Sequence, residues 1–212
     1  MKAADFKQLT ARWASVMREN QAYLIQLDSV VGDSDLGLTM ADGFQAAAEA
    51  AAQHEESDLG KLAYFAGKAM AAAVPSTMGT LMAAGFMHAG KALRDRVEWG
   101  AAEVSAFFAA YAQGVQNMGK AKAGDKTFLD GLQPAVAALQ AAAVAGVPPR
   151  HAAAEAARAA HEGFLATQGM LAKHGRAAGR GEASRPLLDP GAAVADLMMR
   201  GYADFVAEME MT

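Results

Sequence analysis

The chain has 212 residues, a formal net charge of −4 and no cysteine, and about a quarter of it is alanine. That length fits one domain or at most two small ones. No basic excess points to nucleic acid, and without cysteine there are no disulfides, thiolate zinc sites or cysteine nucleophile. Alanine favours helix over strand.

Taken in chain order, Phe6, Leu9, Trp13, Val16, Met17, Leu24 and Leu27 recur at three- and four-residue intervals. The spacing predicts one long amphipathic helix. Charge at Lys2, Asp5 and Lys7 leaves no apolar signal core, which with the missing cysteines suggests a cytoplasmic protein. Further helices are expected near 38–54, 58–73, 76–92, 101–121, 128–146, 149–171 and 190–210. Ala69 to Met87 carries no charge but is interrupted by Pro75, Ser76, Thr77 and Thr80, so it reads as a buried helix pair and not a membrane span. No alternating strand pattern stands out. The fold class is therefore all-α, one domain over residues 1–212, with about eight helices. The 13 methionines read as core filler. None of the histidines has metal-ligand spacing, and His151 and His161 read as structural or solvated.

Four breaks carry more chemistry than a connector needs. In the first, Leu27 to Gly37, Asp28, Asp33 and Asp35 fall within eight residues. Converging carboxylates repel unless a cation joins them, and an oxygen-only set suits Mg²⁺ or Ca²⁺; Mg²⁺ commonly shares its shell with phosphates. An EF-hand fails, because Gly37 and Leu38 stand where a ligand and a glycine are needed. A solvated acidic loop, with Asp33 or Asp35 capping the next helix, is the other reading. The second break is Gly124-Asp125-Lys126-Thr127. Asp125 spoils a P-loop and no strand precedes it, so the plain reading makes Asp125 a helix cap and Lys126 solvated. The third, Pro75 to Thr80, offers Ser76 or Thr77 as a cap at a helix start that also suits a phosphate. The fourth, Lys173 to Gly191, is a long basic loop with Arg176, Arg180 and Arg185, ending in Asp189 as N-cap and Pro190 at the first helical position. Loops beyond about 12–15 residues are usually functional or disordered.

In this order the four segments resemble the nucleotide-binding L subunit of dihydroxyacetone kinases. The carrying residues are Leu27-Asp28 and Gly32-Asp33-Ser34-Asp35-Leu36-Gly37, then Gly124-Asp125-Lys126-Thr127-Phe128-Leu129-Asp130 through Pro134. Gly175-Arg176-Ala177, Gly181-Glu182 and Asp189-Pro190-Gly191-Ala192 complete the set, which spans essentially the whole chain. The resemblance implies a barrel of eight antiparallel helices with a nucleotide, ADP or ATP, at one end. It implies that Asp28, Asp33 and Asp35 bind two Mg²⁺ ions. Leu36, Gly37, Leu38, Thr39, Ser76, Thr77, Gly119, Phe128, Arg176, Asp189, Pro190 and Gly191 would line the nucleotide pocket, with Arg176 also catalytic. The implied partners are a K-type subunit holding a short ketose or polyol and, where ADP is retained, a phosphotransferase-system phosphoryl donor. The resemblance also allows a homodimer, and implies no membrane or nucleic-acid partner. Two positions depart from the family pattern. Leu36 replaces a histidine, and Pro75-Ser76-Thr77-Met78 is poorer in glycine. They motivate the alternative of a helical regulator that kept the fold and lost the chemistry.

Overall fold

Asn20 divides the first amphipathic run in two. In the computed structural model, which describes residues 1–209, it follows α1 (Ala3–Glu19) and precedes α2 (Gln21–Val31), with φ −102° and ψ 13°. Its amide donates to the Val16 carbonyl at 2.7 Å. This is the local bonding by which asparagine competes with a continuing helix. The single long helix expected over this stretch is therefore corrected to two.

The next helices are α3 (Leu36–Gln53), α4 (Leu59–Ala73), α5 (Thr77–Ala92), α6 (Ala101–Gly119), α7 (Phe128–Ala145) and α8 (Pro149–Ala166). A short α9 (Gly175–Ala178) and a 3-10 turn (Gly181–Ser184) precede α10 (Pro190–Met209). α8 stops at Ala166, short of the expected 171; the expected last residue of the final helix, 210, lies outside the described residues. The uncharged stretch 69–87 is the expected helix pair, split at Val74-Pro75-Ser76. Among the described residues α7 alone is long and apolar enough to cross a membrane, and half of it is buried, packed on α6, α8 and α10.

Eight helices close a ring. α1 packs on α3, α3 on α4, α4 on α5, α5 on α6, α6 on α7, α7 on α8, α8 on α10, and α10 returns to α1. α2 lies on α3 and α10. The ring encloses an aromatic cluster in which Trp13 stacks on Phe107 at 6.3 Å and meets Phe44, Phe86 and Phe108 edge-on. The Trp13 indole N–H, buried, donates to the Met198 carbonyl at 2.8 Å and so satisfies its one polar atom. Burial pushes the Tyr111 phenol far up, and its hydroxyl lies 3.4 Å from Met82 Sδ. Small residues let the helices approach closely. A Cβ on Gly60 would lie 2.7 Å from the Gly90 carbonyl oxygen, and one on Gly85 would lie 2.5 Å from the Tyr111 ring. Between Gly60 and Gly90 the wall is backbone against backbone.

The antiparallel course puts four helix starts at one end, those of α3, α5, α7 and α10. The four chemistry-bearing breaks connect into those starts. Helix N-termini present unpaired N–H groups and a partial positive charge. The fold has gathered four at one end before any side chain is considered.

Candidate functional site

The loop Gly32 to Asp35 folds back on α2. The Asp28 carboxylate accepts from the Asp35 N–H at 3.1 Å and the Leu36 N–H at 3.4 Å, which ties it to the first turn of α3. A Cβ at Gly32 would sit 2.0 Å from Asp28 Oδ1, so only glycine lets this carboxylate stand there. Ser34 takes the left-handed conformation at φ 66°. One oxygen each from Asp28, Asp33 and Asp35 lie within 4.8 Å of one another. Burial first, then Asp33 and Asp28, pushes the Asp35 carboxyl above its usual range, against the pull of Arg176. Arg176 Nη2 donates to Asp33 Oδ2 across 143 positions of sequence. Three hard oxygen donors at this spacing fit a divalent cation of the Mg²⁺ or Ca²⁺ kind.

These aspartates form one wall of a cleft of about 600 Å³. The start of α5 forms the next: Ser76 caps that helix, its hydroxyl accepting from the Gly79 N–H at 3.0 Å. Val115, Gly119 and Ala121, from the end of α6, and Thr127, Phe128 and Leu129, from the start of α7, form the third. Asp189, Pro190 and Gly191, with His174, Gly175 and Arg176, complete it. Asp189 Oδ2 accepts from the Ala192 N–H at 2.7 Å, the expected N-cap with Pro190 at the first helical position.

Of the expected site residues, Asp28, Asp33, Asp35, Leu36, Ser76, Thr77, Gly119, Phe128, Arg176, Asp189, Pro190 and Gly191 all line this cleft. Gly37, Leu38 and Thr39 do not. α3 already begins at Leu36, and its helical turn carries the following residues off the cleft. A Cβ at Gly37 would lie 2.2 Å from the Gln21 carbonyl oxygen, Leu38 is half exposed, and Thr39 is buried.

The plain reading of Gly124 to Thr127 is corrected. Thr127, not Asp125, caps α7, accepting from the Leu129 N–H at 3.3 Å, and Asp130 reaches back to the Thr127 N–H at 2.7 Å. Lys126 is not solvated: it is 2% exposed, with φ 64°. Asp125 is buried as well and pairs with Lys173 Nζ at 2.8 Å. That bond, with the Lys122 N–H and His174, overcomes burial and lowers its carboxyl to about 2. The sequence did carry a signal here, an Asp-Lys pair between two positions that suit a positive φ and a cap.

Asp189 is the electrostatic outlier. Burial raises its carboxyl to about 7, against the Ala192 N–H and Lys126, and Asp130 adds to the rise. A folded-state value above the unfolded one means that stability is full at low pH and falls as pH rises from about 4 towards 7. Asn keeps the cap but has no charge to desolvate. Asp189→Asn is expected to flatten stability over that window and to exceed the wild type above pH 7. Urea titrations at several pH values check this; a wild-type slope in the variant would assign the pH dependence elsewhere.

The pattern of the DAK2 domain matches residues 30–204. The chain is 31% identical to the ADP-binding subunit DhaL of the PEP-dependent dihydroxyacetone kinase of Escherichia coli K12, over 91% of each chain. It is 34% identical to the L-erythrulose 1-kinase of Mycolicibacterium smegmatis, covering 89% of this chain but 33% of that enzyme. The crystal structure of the C. freundii dihydroxyacetone kinase superposes with a TM-score of 0.70 at 25% identity, covering 95% of this chain and 34% of that one. The chain thus spans nine-tenths of the free-standing subunit and a third of the long kinases. With the match over residues 30–204 and the identity to a subunit of the same length, the chain belongs to the DAK2-domain family.

Proposed function

We propose that this chain is the Mg-nucleotide-binding subunit of a kinase for a short ketose or polyol, working in the cytoplasm with a separate K-type subunit that holds the substrate. The observation that carries the reading is the convergence, on one cleft, of three aspartates, Arg176 and four helix starts. Free-standing relatives bearing the name of an ADP-binding subunit, and erythrulose kinases that contain the same region, support it. The nucleotide is either ATP as direct donor or a retained ADP, rephosphorylated by a phosphotransferase-system protein.

Phosphoryl transfer is chiefly positioning and charge cancellation. Mg²⁺ held by Asp28, Asp33 and Asp35 would supply neutralising charge to the phosphates. The chain's own part follows from its geometry. N–H groups at the starts of α5 and α10 donate to phosphate oxygens, while those of Asp35 and Leu36 at the start of α3 hold Asp28 in place. Val31, Leu81, Val115 and Phe128 offer an apolar flank for the base. Arg176, 67% exposed at its side chain, stands at the mouth, where its partner in transfer would dock, and can exchange Asp33 for a phosphate oxygen. Leu36 has no polar side chain, and its N–H serves Asp28.

The purified chain should bind ADP in a Mg²⁺-dependent way and phosphorylate no three- or four-carbon ketose until a K-type subunit is added. Calorimetry with and without Mg²⁺, followed by a steady-state assay, tests both halves. Robust turnover by the chain alone would overturn the division of labour. Nucleotide binding with silence towards every partner would favour the regulator.

A further inference from the structure

The loop between α8 and α10 carries Arg176, and two consecutive buried side chains of another loop grip both of its ends. Lys126 Nζ donates to the Ser184 and Leu187 carbonyls at 2.6 Å each and lies 3.2 Å from the Met170 and 3.4 Å from the Arg185 carbonyl oxygen. An ammonium has three N–H groups and no acceptor, so these four carbonyls share and saturate it. Asp125 takes the other side. Its carboxylate holds Lys173 Nζ at 2.8 Å and His174 Nε2 at 3.1 Å, and its carbonyl accepts from the Lys173 N–H at 3.2 Å.

Between the grips the loop is knit by Ser184, fully buried, whose hydroxyl donates to the Gly181 carbonyl at 2.7 Å and accepts from the Ala172 N–H at 3.1 Å. Gly175, which opens α9, and Gly181, which opens the 3-10 turn, are in the left-handed region at φ 63° and 54°. Residues 175–181 therefore form a short span, pivoted on glycines and anchored on both sides, and of its two arginines Arg176 pairs with Asp33. Burying an ammonium costs free energy unless its donors are satisfied. Here backbone carbonyls of the Arg176 loop satisfy them, and that loop is the beneficiary.

We infer that Asp125 and Lys126 are positioning residues, which fix the ends of the 170–187 loop so that Arg176 stands over the three aspartates. The inference rests on the function proposed above for its catalytic consequence, but not for its mechanical one. The chain supplies its own probe: Lys173, Arg176 and Arg180 are trypsin sites within the gripped loop, while Pro186 protects the bond after Arg185.

In the full chain, Lys126→Met is expected to raise tryptic cleavage after Arg176 and Arg180 by about tenfold or more, because cleavage follows the open population. Helix content and a cooperative melt should persist. With the K-type partner, kcat should fall. In an Arg176→Ala background the same substitution should cost nothing further, since residues acting as one unit are non-additive. A lysine that merely stabilises the fold would lower the melting temperature, leave the loop's cleavage at the wild-type rate and add its loss to that of Arg176→Ala; that result overturns the inference. Should Lys126→Met not fold, Asp125→Ala releases the other end, where Lys173 and His174 already reach solvent, and carries the same expectations. If the wild type binds no Mg-ADP, the functional reading fails, while the cleavage comparison still decides the tether.

Discussion

Replacing Asp28 by asparagine is expected to lower Mg-dependent affinity for ADP by about a hundredfold while leaving the fold intact. Asparagine retains an oxygen for the Asp35 and Leu36 N–H groups, so the turn into α3 survives. What is lost is one of three negative charges around a divalent cation. Stability without ligand should not suffer. Asp28 is one of the like charges that push the Asp35 carboxyl up, and removing it relieves that repulsion. The variant therefore separates binding from folding. Calorimetry with ADP, with and without Mg²⁺, checks the first and thermal unfolding the second. Wild-type affinity in the presence of Mg²⁺ would remove the aspartates from the metal assignment.

Arg176→Ala should cost transfer far more than binding, with kcat in the presence of the partner subunit falling by about a thousandfold. Its guanidinium pairs with Asp33 and is largely solvated, so ground-state affinity draws little on it. Charge developing on the moving phosphoryl group is where two parallel N–H donors count most. Lysine keeps the charge and loses the fork, so Arg176→Lys should recover little. Turnover at saturating partner and nucleotide reads this directly. Wild-type turnover in either variant would make Arg176 a surface charge that pairs with Asp33 and nothing more.

Much of this was readable from the sequence, because it depends on local rules. The helical period located the ring helices, and Asp189-Pro190 marked a helix start by cap chemistry alone. What differed has three separate causes. Asn20 sits in a run whose apolar spacing continues past it, and its side-chain bond to Val16 marks the break between α1 and α2. Lys126 looked solvated because lysine usually is. Its burial depends on carbonyls 44 to 61 positions away, which no local pattern encodes. The resemblance puts Gly37, Leu38 and Thr39 in the pocket. Helix phase turns them from it, and phase follows from where α3 begins, the least legible property of an element.

The glycine contacts in the ring wall bear on how such a protein can change over time. Where Gly60 faces Gly90, and Gly85 faces Tyr111, no smaller residue exists. Drift at these positions runs one way, towards added atoms, and each addition pries neighbouring helices apart. Of these helices α5 starts and α6 ends at the cleft, so a bulge where Gly85 meets Tyr111 would be felt at its mouth. Room for diversification is left to the connectors and the rim. The wall preserves the vessel, and new substrates and partners have to be explored at the lip.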